Sequence, residues 1–340
     1  MSNLERSILA TLVYFDIFDY PLTLIEIWRY LYRQSTIDNQ QSVISNQRLT
    51  SDKRQMMFSI FDIQKTLESS EKLKKAVSYK NGFYFLKGRE KLVRKRQEHY
   101  SIAQSKWKIA QKAAKYLQLV PFIKMIAVCN TLAYDNTTEK SDIDFFIVVK
   151  SDRIWTARFL AILIIYLLGL RPTSKRIKDK ICLSFYTTDK LLNLERIALK
   201  PYDIYLAYWI NQIIPLVNRE NTYARFIQSN VVWTKKYFHL PLGTAKYLLQ
   251  RETPDRGLFS LIRVTKEKIL GTRIANILEK GLRKIQLIFM SKTKKNLAKK
   301  LGTEVIISNE MLKFHESDRR EKFRRRFEEK YKQYLSQIKG

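Results

Sequence analysis

The segment Ser141-Asp142-Ile143-Asp144-Phe145-Phe146-Ile147-Val148-Val149 constrains the chain more than any other. Its apolar run from Phe145 predicts a buried strand over Ile143–Val149. Side chains at i and i+2 of a strand share a face. Asp142 and Asp144 therefore emerge side by side from the start of that strand. Two like charges this close repel, which raises the pKa of one of them unless a cation neutralises the pair. A divalent metal does so well, because Mg²⁺ takes oxygen ligands and keeps phosphates and water in its shell. Paired carboxylates of this kind are what a two-metal phosphoryl-transfer site needs.

The surrounding pattern divides the 340 residues into four parts. Residues 1–90 read as three helices and a hairpin. The helices are expected at Leu4–Phe18, from Thr23 as N-cap through Leu31, and at Ser59–Leu73. Asn81-Gly82 between two β-prone runs is a strong hairpin signal, since both positions tolerate positive φ. Residues 34–54, rich in Gln, Ser, Asn and Thr, read as a flexible insertion. Residues 91–120 form a long basic linker helix. Residues 121–200 carry strands at Phe122–Cys129, Ile143–Val149 and Ile181–Thr187, with an apolar helix over 155–170. Residues 201–340 are expected to be helical, at Ile204–Val217, Tyr223–Tyr237, Leu258–Ser291 and Asn309–Gln337.

Helix order and turn chemistry over residues 4–88 resemble a winged-helix domain. Val128-Cys129, then Asn130-Thr131, a spacer, and Asp142-Ile143-Asp144-Phe145 resemble the nucleotidyltransferase superfamily of the DNA polymerase beta type, over residues 105–190. The chain as a whole is similar to uncharacterised bacterial nucleotidyltransferase-domain proteins. The implied fold class is α/β (α+β): a winged-helix-like N-terminal domain, a small mixed-sheet nucleotidyltransferase core and a helical basic C-terminal region. The superfamily resemblance implies that Asp142 and Asp144 are catalytic and hold Mg²⁺ with a nucleoside triphosphate. It implies that Asn130 and Thr131 contact the phosphates, with Ser141 and Lys140 beside them and Lys140 or Arg158 neutralising charge. The superfamily's third carboxylate has no counterpart within Ile181–Thr187; Asp179 and Asp189 flank that strand.

Sixty-three Lys and Arg against 32 Asp and Glu, a formal charge of +31, favour polyanionic partners such as nucleic acid or nucleotides. With 45% hydrophobic residues the chain is no disordered basic tail. Two cysteines exclude a disulfide framework and suit a reducing cytosol. The N-terminal apolar stretch is broken by Asp16 and Asp19, unlike a signal peptide. The run Ala157–Leu170 is shorter than the roughly 20 residues of a spanning helix and reads as a buried helix. Cys129 and Cys182 read as core residues, and His99, His239 and His315 are scattered. Lys72, Lys74, Lys75 and Lys80, with Arg89, Lys91, Arg94, Lys95 and Arg96, offer a surface for DNA or RNA, beside Gln64, Lys65, Ser69 and Ser70 on the recognition-type helix. The cluster Arg319–Arg326 reads either as a solvated helix laced by Glu321, Glu328 and Glu329 or as a guide for a polyanion. Three functions stay open: a nucleotidyltransferase, a nucleic-acid-binding regulator with a degenerate core, and a peripheral membrane protein.

Overall fold

The computed structural model describes residues 1–33, 57–243, 251–253, 261–265, 267, 273–300 and 302–339. The expected 34–54 insertion lies outside them, as does part of the expected 258–291 helix. Capping chemistry starts the first helices. Ser2 and Glu5 form a reciprocal capping box at α1 (Asn3–Asp16), as do Thr23 and Glu26 at α2 (Leu24–Tyr30), and Ser59 and Asp62 at α3 (Ile60–Ser69). The single helix expected over 59–73 is instead two. Ser70 leaves the helical region at ψ 108 and its hydroxyl caps α4 (Glu71–Ala76) by accepting from Leu73 N. Strands β1 (Val77–Lys80) and β2 (Phe83–Leu86) pair antiparallel across Asn81 and Gly82, both at positive φ as a tight hairpin turn requires.

Helix α5 (Lys91–Leu117) leads into β3 (Ile123–Val128), the single turn α6 (Asn130–Ala133), β4 (Ile143–Val149), α7 (Ile154–Leu167) and β5 (Ile181–Thr188). β3 runs antiparallel to β4, and β4 parallel to β5. Two expectations for the C-terminal region are corrected. The helix expected over 204–217 ends as α8 (Ile204–Gln212), and β6 (Ile214–Asn218) follows as an edge strand beside β3. Pro215 explains this, because it disfavours helix at the residue before it and is tolerated on an edge. The tail is likewise not one helix from 309. After α9 (Thr222–Thr234), α10 (Arg273–Phe289) and α11 (Lys292–Lys299), the hairpin β7 (Val305–Ile307) and β8 (Met311–Phe314) joins the sheet beside β5. Helix α12 (Arg320–Lys339) begins only then. The six-stranded mixed sheet has the order β6-β3-β4-β5-β8-β7.

Strand alternation separates two cores. Ile143, Phe145, Ile147 and Val149 pack with Trp107 of α5 and Ile154, Trp155 and Ala161 of α7. Phe146, Val148, Met125 and Phe185 face the other way, toward α1, α8, α9 and α12. Tyr14 of α1 stacks on Tyr208 of α8 at 4.0 Å and lies edge-on to Phe327 of α12. The N-terminal helices and the C-terminal helix thus share one apolar core. Among the described residues no helix is long and apolar enough to cross a membrane.

Candidate functional site

Asp144 sits on β4 on the same face as Phe146, and its register partner on the parallel strand is Cys182. Between Cys182 and Phe185 the register shifts, so that β5 bulges by one residue beside the carboxylates. Such a bulge re-aims side chains at a strand's start. It leaves Asp142, Asp144 and Cys182 with ligand atoms within 4.8 Å of one another, all three half-buried. Burial first, and the neighbouring Asp142 charge second, push the Asp144 carboxyl up to about 6. Burial also raises Asp142, opposed by a backbone hydrogen bond and the Lys106 charge. The pair expected from i and i+2 spacing is therefore brought together and electrostatically uncomfortable.

The loop that presents the pair is clamped from below. The Lys106 ammonium, almost inaccessible on α5, donates to Ser141 O at 2.7 Å, Glu139 O at 3.3 Å and Asp179 Oδ1 at 2.5 Å. Asp179 is thereby an anchor of this clamp, and Asp189 binds Ser151 N and Oγ at the far end of β4. Neither joins the Asp pair; the third side chain beside it is the Cys182 thiol, pushed up to about 12 by burial. Ser141 lines the cleft and its hydroxyl meets Thr138 Oγ1 at 2.8 Å. Lys140 is exposed on the adjoining turn and is not among the lining residues. Arg158 lies on the opposite side of the sheet, over Phe314 and bonded to Gln286, so it cannot neutralise the pair.

Asn130 adopts positive φ, 56°, a conformation Asn tolerates better than most residues. Its Oδ1 accepts from Trp209 Nε1 at 3.0 Å, and the nearby Asn130 side chain opposes the rise of the Asp144 carboxyl. Asn130 and Thr131 line the cleft just past the end of β3.

The cleft of about 490 Å³ is completed by residues distant in sequence: Tyr205 and Trp209 from α8, His315 after β8, and Arg319, Arg320 and Phe323 around the start of α12. Burial pushes His315 down to about 4, and its Nε2 lies 2.9 Å from Ser184 Oγ. Arg320 is buried and anchors the wall through Asp203 at 2.6 Å and Asp318 at 2.6 Å. Arg319 is exposed, and among the described residues its guanidinium makes no hydrogen bond or ion pair. Arg319 and Arg320 belong to the basic cluster of the tail, but nothing local in sequence signals that this segment folds back over the Asp pair.

The carboxylates suit a hard divalent cation that also takes phosphate oxygens, whereas the Cys182 thiol is a softer donor that Mg²⁺ would leave aside. The N-terminal cations divide. Lys72, Lys74, Lys75 and Lys80 are exposed. Arg89 and Lys95 are engaged by Asp16 and Asp19, and Arg96 is buried against Glu26 and Tyr134 O. These three are structural and not part of a free basic surface. Family models, curated proteins and solved structures were all compared with this chain, and none matches it.

Proposed function

We propose that the cleft is a Mg²⁺-dependent nucleotide site that transfers an NMP from an NTP to an acceptor hydroxyl. One observation carries the reading: two half-buried carboxylates on one strand face, each raised by its surroundings, at the floor of a cleft whose far wall holds a free guanidinium. Such a pair gains most from binding a cation, because ligation removes both the repulsion and the burial penalty. Bound Mg²⁺ would neutralise phosphate charge and favour in-line displacement. The chain's own residues hold and orient. Asp142 and Asp144 offer the oxygens, Arg319 meets phosphate charge, and Tyr205, stacked on Phe323 at 5.4 Å, offers an aromatic wall to a base. Asn130, Thr131 and Ser141 lie where phosphates would pass.

The thiol at Cys182 favours a second reading, in which the site binds a nucleotide without turning it over. The exposed lysines of α4 and the β1–β2 hairpin would then let a winged-helix-like front contact DNA or RNA. NTP binding by calorimetry, with and without Mg²⁺, for wild type and for Asp142→Asn/Asp144→Asn tests the site. Mg²⁺-dependent affinity is expected only for wild type, and equal affinity in all four arms refutes the proposal. Release of pyrophosphate with a candidate acceptor separates transfer from binding.

A further inference from the structure

The opposite side of the sheet carries a surface that nucleotide chemistry does not use. At about 100° per residue along α10, Ile277, Leu278, Ile285, Ile288 and Phe289 form one stripe, yet the residues that pack inward are Ala275, Leu282 and Gln286. Ile277 is 74% exposed, Ile288 71% and Phe289 86%. Polar groups dock the helix instead. Gln286 donates to Trp155 O at 2.8 Å, and the Glu279 carboxylate accepts from Trp155 N and Thr156 N at the start of α7. The apolar stripe of α10 is therefore turned outward. Helix α7 continues it, exposing Phe159, Leu163, Tyr166 and Leu167 at i, i+4, i+7 and i+8. A groove of about 570 Å³ runs between the helices, floored by Phe159, Leu163, Tyr166, Ile285 and Phe289.

Charge identifies the occupant. The segments 154–171 and 273–300 that build this side contain eleven Lys and Arg but one acidic residue, Glu279, and Glu316 stands beside Lys294. Glu279 is committed inward to the start of α7, and Glu316 is taken up by Lys294 at 3.5 Å. Arg158, Arg171 and Lys294 line the groove, and the exposed Lys284 of α10 and Lys292 of α11 add cations on the same helices. A second copy of this chain would set like charges against each other. A nucleic acid would leave the aliphatic and aromatic stripe in water. An anionic bilayer satisfies both features, because its acyl boundary takes the stripe while its headgroups take the cations.

We infer that the α7–α10 face is a peripheral docking surface for an anionic lipid bilayer, with α10 lying in the headgroup plane. Sedimentation of the full chain with vesicles tests it, using phosphatidylcholine alone and phosphatidylcholine mixed with phosphatidylglycerol. Binding to the mixed vesicles only is expected. Ile288→Ser/Phe289→Ser should weaken it at least about tenfold, since two large apolar contacts are lost, and Lys284→Glu/Lys292→Glu should weaken it similarly. Both pairs are exposed, so thermal stability should stay unchanged. No sedimentation with mixed vesicles overturns the inference. So does undiminished binding by the apolar variant, or a dimer in light scattering that this variant abolishes. None of these residues lines the Asp142–Asp144 cleft, so nucleotide binding reports separately.

Discussion

Replacing Lys106 by Met tests whether the loop bearing the carboxylates is held from the core of the protein. The Lys106 side chain is 2% exposed and Asp179 37%. Breaking a buried ion pair costs about 3–5 kcal/mol when the partner stays buried. Asp179 can be partly rehydrated, which lowers its share to about 1–2 kcal/mol. The carbonyls of Ser141 and Glu139 lose a charged donor, at about 1 kcal/mol each. A total of about 3–4 kcal/mol follows. With an unfolding entropy of roughly 2.1 cal/mol/K per residue, this corresponds to a fall in Tm of about 4–6 °C, read by circular dichroism. Adding Asp179→Asn to Lys106→Met should recover part of the loss, because the unpaired carboxylate is removed. The Lys106 charge also lowers Asp142. Its removal should therefore shift Mg²⁺-dependent NTP binding to higher pH. A Tm within about 1 °C of wild type, with no recovery in the double variant, refutes the clamp.

Asp144→Asn should separate stability from function. The Asp144 carboxyl is raised to about 6, so the folded state holds its proton more tightly than the unfolded chain does. Its stabilising contribution is complete below about pH 4 and is lost as pH rises through about 6. In melts without divalent cation, the Asn variant should therefore gain on the order of 1–3 kcal/mol over wild type near neutral pH relative to near pH 4; a pH-independent difference would contradict this. Arg319 and Arg320 are neighbours with opposite expectations. Arg320→Met strands buried Asp203 and should cost about 3–5 kcal/mol in denaturant unfolding, whereas Arg319→Ala should stay within about 0.5 kcal/mol yet weaken NTP binding. Reversed outcomes would misassign wall and ligand roles.

Much of this fold is legible locally. Thr23 with Glu26, Asn81 with Gly82, and the apolar runs of β3, β4 and β5 form the expected elements, because caps, turns and buried strands act through neighbours in sequence. The Asp142–Asp144 juxtaposition is legible for the same reason, since a strand's two-residue repeat is a property of the backbone. Local pattern misled where tertiary pairing competed with it. Ile214-Pro215-Leu216-Val217 lies beside β3 as strand, and the hairpin of Val305–Ile307 and Met311–Phe314 interrupts a charge-rich tail that reads as helix.

By itself the sequence determined a mixed α/β chain with a carboxylate pair at the start of a buried strand, and a cationic surface able to meet polyanions. Only the tertiary structure decided that Cys182 and not a third carboxylate faces that pair, that Lys106 and Asp179 hold its loop, and that Arg319 closes the cleft from about half the chain length away. It also decided that α10 turns its apolar stripe to the outside. The physical reason is the same in each case. Register, burial and charge pairing across the sheet depend on which distant segments come to lie side by side, and no local periodicity encodes that choice.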